Sequence, residues 1–168
     1  MRYRRDLTPG GTWFFTSVTY QRRPVFTNEP ALQCLRNAFR RVQMKYPFHI
    51  DAAVILPEHL HFIWTLPPGD ADFPTRWRLI KAHFTKHYRS PLSTQPIWQQ
   101  RYWEHKIRDE NDFQHHIDYI HYNPVKHGYV SRPIGWKNSS FHRYVRQGIL
   151  PKDWGCGMVE IPDDIGRE

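Results

Sequence analysis

Cysteine is nearly absent. The 168-residue chain carries two, Cys34 and Cys156, which form no CxxC pair and imply no disulfide framework. Long apolar runs are missing too: nothing approaches the roughly 20 consecutive apolar residues of a membrane span. The opening MRYRRDLTPGG holds charge but no apolar stretch, which argues against a secretory signal. These absences predict a cytoplasmic protein with no membrane role. Internal repeats and low-complexity tracts are also lacking. Aromatics are not, since Phe, Trp and Tyr make up 15% of the sequence. Disordered chains are poor in such residues, so folding is expected despite a mean hydropathy of −0.74.

Acidic groups are outnumbered, 16 Asp and Glu against 24 Lys and Arg, for a formal charge of +8. The imbalance is uneven. Residues 1–152 hold 23 basic and 11 acidic side chains, whereas residues 153–168 hold 1 basic and 5 acidic. A basic body with an acidic end reads as a polyanion binder whose tail competes for the same charges. The length fits one domain. Composition divides it into a basic segment 1–10, a single domain 11–156, and an acidic, mobile tail 157–168 that holds no candidate catalytic residue.

Hydrophobic periodicity supplies the elements. Trp13 to Tyr20 is aromatic and β-branched, a strand. Asn28 caps a helix whose apolar set, Leu32, Leu35, Phe39, Val42 and Tyr46, recurs at steps of 3 and 4. Ile50, Ala52, Val54 and Leu56 alternate as a strand, and His59 to Leu66 forms the next, so the two make an antiparallel hairpin. Phe73, Trp77, Ile80, Phe84 and Tyr88 mark a second helix. Tyr102 to Arg108 alternates as a fourth strand, with Trp98, Tyr102 and Trp103 assigned to the core. Asn111 or Asp112 caps a third helix that buries Phe113, Ile117 and Ile120 and ends at Asn123-Pro124. Trp136, Phe141, Tyr144 and Val145 suggest a further short helix or turn. The order predicts an α+β, ferredoxin-like βαββαβ fold. Its antiparallel sheet has the main helices on one face, and an extra C-terminal helix carries Tyr119. The other face is expected to be open for a ligand.

His59 and His61 are two apart on a predicted strand, so both point to one face while Leu60, Phe62 and Trp64 point to the other. Two neutral imidazoles on an open face are half of a divalent-metal site. In a chain with 11 histidines, plain polar surface is the alternative. Tyr119 and Asn123 are four apart on a predicted helix and share a side. An Asn oxygen suits Mg²⁺ or Mn²⁺. A Tyr hydroxyl is a candidate nucleophile, but with an ordinary pKa of about 10 it needs help from a metal or a nearby base. A tyrosine packed at a helix edge is the alternative. Glu58, beside the histidines, reads as a turn residue.

The hairpin Val54-Ile55-Leu56-Pro57-Glu58-His59-Leu60-His61-Phe62 resembles the HUH signature, histidine–bulky hydrophobe–histidine, of single-tyrosine transposases. Ile107-Arg108-Asp109-Glu110, then Asp118-Tyr119-Ile120-His121-Tyr122-Asn123-Pro124-Val125-Lys126-His127-Gly128, resembles their tyrosine helix. The likeness continues through Trp136, Ser139 to Tyr144 and Asp153-Trp154, and it is nearest to the REP-associated tyrosine transposases of bacteria. That resemblance implies cleavage and rejoining of single-stranded DNA at REP-type palindromic hairpins. Tyr119 would form a 5′-phosphotyrosine link and leave a 3′-OH. His59, His61 and Asn123 would hold one Mg²⁺ or Mn²⁺. The family often has Gln four residues after its tyrosine, where this chain has Asn123. Association with the nucleoid is implied when DNA is bound, and a monomer is expected, with a dimer as the alternative. Arg2, Arg4, Arg5, Arg22, Arg23, Lys81, Lys86 and Arg89 are the candidates for neutralising phosphates, with Tyr3 able to stack on a base. Two other readings fit the composition: a ferredoxin-like nucleic-acid-binding module without chemistry, and a phosphodiesterase using a metal-bound water.

Overall fold

The computed structural model describes residues 9–88 and 94–166. Four strands, β1 (Thr12–Val18), β2 (His49–Ile55), β3 (His59–Thr65) and β4 (Trp103–Lys106), form one sheet in the order β2-β3-β1-β4. All its pairings are antiparallel. Helices α1 (Glu29–Lys45) and α2 (Phe73–His87) connect the strands, and α3 (Glu110–Lys126) and α4 (Phe141–Arg146) follow them. This is the expected α+β order.

Local chemistry sets the helix boundaries. Asn28 accepts the Ala31 amide at 3.0 Å, with Pro30 in the first turn of α1. Asp72 caps α2 through Thr75 N at 3.1 Å. Asp109, rather than Asn111 or Asp112, caps α3 by accepting from Asp112 N at 2.8 Å. Helix α3 also runs past Pro124 to Lys126. The proline ring forfeits one helical hydrogen bond, and Gly128, at φ 73°, then turns the chain.

The first sheet face packs on α1 and α2. Phe15, Leu60, Phe62 and Trp64 from the strands meet Phe39, Trp77 and Phe84 from the helices. Trp64 and Trp77 stack at 4.5 Å. Arg76 fastens α2 to the end of α1, pairing with Asp70 at 2.7 Å and donating to Pro47 O at 2.8 Å. Trp77→Ala is expected to destabilise the fold by about 3–5 kcal/mol. Urea unfolding measures this, and a loss under 1 kcal/mol would mean the stack is not central to the core.

The second face is not open. Helix α3 lies across it, and Phe14, Ala52, Val54, Leu56 and Ile63 pack against Ile117, Tyr119 and Ile120. Strand alternation left this face half apolar, and that surface needs a cover. A register shift between Ile50 and Ala52 places Ile50 with the first core instead of beside Ala52. The β2 edge is tied down by Trp136 Nε1 donating to Ile55 O at 3.0 Å and by Tyr144 donating to Asp51 O at 2.8 Å. His121 faces Ser140 Oγ at 2.8 Å, and burial pushes its imidazole down to about 3, so it is neutral in this core. Trp98 is buried as expected, while Trp103 is 38% exposed on the edge strand β4.

Candidate active site

Strand β3 and helix α3 meet at four side chains. His59 turns Nε2 to Asn123 Oδ1 at 3.3 Å. The His61 ring stands 5.1 Å from the Tyr119 ring, edge to face, and 4.9 Å separates the two imidazole rings. His59, His61 and Asn123 are fully buried, and Tyr119 nearly so. The strand period put both histidines on one face, and the helix period put Tyr119 and Asn123 on one side. Packing of α3 on β2 and β3 joins the two pairs within one chain.

Each imidazole is oriented through Nδ1. Glu58 Oε1 lies 3.0 Å from His59 Nδ1, and Thr16 Oγ1 lies 2.8 Å from His61 Nδ1. Oxygen partners of this kind fix the ring and direct Nε2 at the ligand. Glu58 is itself held, with Tyr129 donating to Oε2 at 3.1 Å and Arg22 at 3.8 Å from Oε1. Glu58 is therefore an orienting residue as well as a turn residue. Two imidazole nitrogens and an amide oxygen suit a divalent first-row ion or Mg²⁺, so the residues present fit such a metal.

The tyrosine is covered. Its hydroxyl donates to Gly166 O at 3.1 Å, and Lys126 Nζ reaches the same oxygen at 3.4 Å while lying 4.9 Å from the ring centre. Ile165 is buried in the core beside it. Gly166 has φ 70°, and a Cβ there would fall 2.1 Å from Tyr119 Cζ, so only glycine fits. The acidic segment, expected to stand off and compete for charge, is instead seated on the tyrosine through Ile165 and Gly166.

The candidate phosphate contacts are scattered. Arg22 is exposed beside Glu58, on a turn where Gln21 and Arg22 adopt φ 54° and 51°. Arg23 packs on the Tyr20 ring and donates to Pro96 O. Lys81 and Lys86 are on α2, across the sheet from Tyr119. Lys81 lies 5.4 and 5.3 Å from the Trp98 and Tyr102 ring centres, where burial lowers its ammonium to about 8. Lys86 is exposed. Arg2, Arg4, Arg5 and Arg89, with Tyr3, lie outside the described residues.

Sequence reasoning missed Thr16, Lys126 and Gly166 as neighbours of the site. The carboxylate adjacent to the first histidine was a usable signal for Glu58. Nothing local announced Thr16, which arrives through its pairing with His61 across β1 and β3.

No known protein-family model matches the chain. The REP-associated tyrosine transposase of Escherichia coli (strain K12) is 49% identical over 160 residues, covering 95% of this chain and 93% of that protein. The solved structure of a REP-associated tyrosine transposase bound to a REP hairpin superposes with a TM-score of 0.87 at 46% identity. That match covers 100% of this chain and 98% of the other. No helix among the described residues is long and apolar enough to cross a membrane.

Proposed function

Since this chain belongs to the REP-associated tyrosine transposases, we propose that it cleaves and rejoins single-stranded DNA flanking a REP-type hairpin, with Tyr119 as nucleophile. The observation that supports this most is the meeting of Tyr119, His59, His61 and Asn123 in one buried cluster. The DNA partner is inferred from the hairpin bound to the similar solved structure.

In this reading Tyr119 Oη gives up its proton to solvent as it attacks the scissile phosphorus, a new O–P bond forms, and the P–O3′ bond breaks. The 3′ oxygen leaves as a hydroxyl after taking up a proton, and the 5′ side stays on the tyrosine. Attack by another 3′-OH reverses the step without ATP, because one phosphodiester has been exchanged for another of similar energy. His59, His61 and Asn123 would hold one Mg²⁺ or Mn²⁺, which supplies charge stabilisation at the phosphate. Glu58 and Thr16 keep the two imidazoles in position. Lys126 places a positive charge beside the attacking oxygen. Because the tyrosine and the histidines meet within one chain, a monomer suffices for the chemistry. A basic body around the site neutralises backbone phosphates.

A labelled single-stranded oligonucleotide carrying a REP hairpin tests the reading. A denaturation-resistant protein–DNA adduct and a free 3′-OH fragment are expected with Mn²⁺ or Mg²⁺. Binding without an adduct would return the protein to a module without chemistry. Cleavage that leaves no protein-linked species would favour a metal-bound water.

The seated tail changes one expectation. DNA cannot reach Tyr119 while Gly166 O accepts its hydroxyl proton. Deleting residues 159–168 is expected to raise the initial rate of adduct formation several-fold, and Gly166→Ala should act in the same direction. An unchanged or lower rate with intact hairpin binding would mean that this segment does not limit access.

A further inference from the structure

A second group of metal-ligating side chains lies beside the tyrosine helix. Asp112, in the first turn of α3, stands between two imidazoles. Its Oδ2 is 2.9 Å from His105 Nε2 on β4, and its Oδ1 is 3.2 Å from His116 Nδ1, one turn further along α3. One ligand atom from each of the three residues lies within 4.8 Å of the others. The two rings stack at 4.7 Å, 15° from parallel. Asp112 and His116 are buried, and the His105 side chain is 28% exposed, which gives an ion a way in from solvent.

The protonation states suit a cation. Burial raises the Asp112 carboxyl, but the Arg108 amide, the His105 ring and the Arg108 guanidinium outweigh this and hold it at about 2. Burial lowers the His116 imidazole, so it is neutral at pH 7. A tetrahedral ion with ligands at roughly 2.0–2.2 Å places those ligands about 3.3–3.5 Å apart. The observed 2.9 and 3.2 Å run to different oxygens of Asp112, so the carboxylate must turn to offer one of them and the two imidazoles must open around it. A second acidic group acts on the same place, since Asp164 of the C-terminal segment raises the proton affinity of both Arg108 and His116.

Three features weigh against a cation. Arg108 already holds Asp112 Oδ2, from its amide at 2.9 Å and from its guanidinium at 3.3 Å, and the guanidinium must swing away to admit an ion. The helix N-terminus carries partial positive charge, worth about 0.3–1 kcal/mol, yet Glu110 and Asp112 in the first turn offset it. His116 Nδ1 also contacts the Asp112 carbonyl at 2.7 Å. That bond must be given up, and the ring must carry its proton on Nε2. His105 makes the matching change, freeing Nε2 and carrying its proton on Nδ1.

We propose that His105, Asp112 and His116 form a second divalent-cation site, chemically suited to Zn²⁺ and separate from His59, His61 and Asn123. It stands apart from the cleavage reaction and from the reading of Tyr119. An ion there clamps the start of α3 onto β4. Phe14 touches both His116 and Tyr119, with ring centres at 4.7 and 5.9 Å, so the clamp sits beside the helix segment that carries the tyrosine.

The test uses the untagged full chain with His59→Ala and His61→Ala, stripped with chelator, loaded with ZnCl₂ and desalted. About one equivalent of zinc per chain is expected by mass spectrometry of the metal, with a raised Tm. Adding His105→Gln, which keeps a hydrogen-bond donor for Asp112 but removes the imidazole, should abolish both effects. Asp164→Asn should weaken zinc binding a few-fold. Circular dichroism confirms that each variant is folded, and the Co²⁺ visible spectrum of the double variant reports nitrogen ligation independently of His105→Gln. No retained zinc in the double variant, or zinc retained unchanged after His105→Gln, would overturn the proposal and leave a hydrogen-bonded clamp only.

Discussion

Tyr119→Phe should remove the covalent protein–DNA adduct, lowering the cleavage rate by on the order of 10⁴-fold or more, as removal of a nucleophile does elsewhere. The change deletes one hydroxyl and little volume. It loses the hydrogen bonds to Gly166 O and from Lys126, while the ring keeps its contacts with Phe14 and His61. Stability should therefore move by no more than about 1–2 kcal/mol, and hairpin affinity should stay close to that of the parent chain. Tyr122→Phe is the control, because Tyr122 lies three residues away and packs near Gly155 rather than the histidines. An adduct that survives Tyr119→Phe and disappears in Tyr122→Phe would move the chemistry to Tyr122 and overturn the assignment of Tyr119.

His59→Ala and His61→Ala should each cut adduct formation by about 10²–10³-fold or more, the usual effect of losing charge stabilisation at a reacting centre. Hairpin binding should persist, since phosphate contacts elsewhere supply most of the affinity. Glu58→Gln separates orientation from ligation. It leaves both imidazoles in place but weakens the acceptor on His59 Nδ1. It should lower metal affinity about 10–100-fold, and excess Mn²⁺ should restore most of the rate. The histidine variants should not recover in this way. Full activity of the unaltered chain in excess chelator would remove the metal from the reaction, and the two imidazoles would then need another role.

Much of this site was legible one element at a time. The two-residue step of His59 and His61 on a strand and the four-residue step of Tyr119 and Asn123 on a helix are local facts, set by backbone periods. The same holds for the apolar stripes of α1 and α2 and for the β2–β3 hairpin. The errors also have local causes. Capping of α3 by Asp109 rather than Asn111 or Asp112 is a shift of two or three residues between acceptable caps. The flipped face of Ile50 follows from a bulge that alternation cannot foresee.

By itself, the sequence determined the order of elements, most of the apolar faces, the basic excess, and the pairs of candidate side chains within each element. Tertiary structure alone decided that α3 covers the second sheet face and brings Asn123 to His59, 64 positions apart in the chain. It also placed Thr16 on His61, Gly166 over Tyr119, and His105 on Asp112. The reason is the range of the forces involved. Periodicity and capping act over a turn or a strand pair of residues and are written into neighbouring side chains. Which faces meet depends on burying the remaining apolar surface of the whole sheet, a non-directional drive that no single segment records.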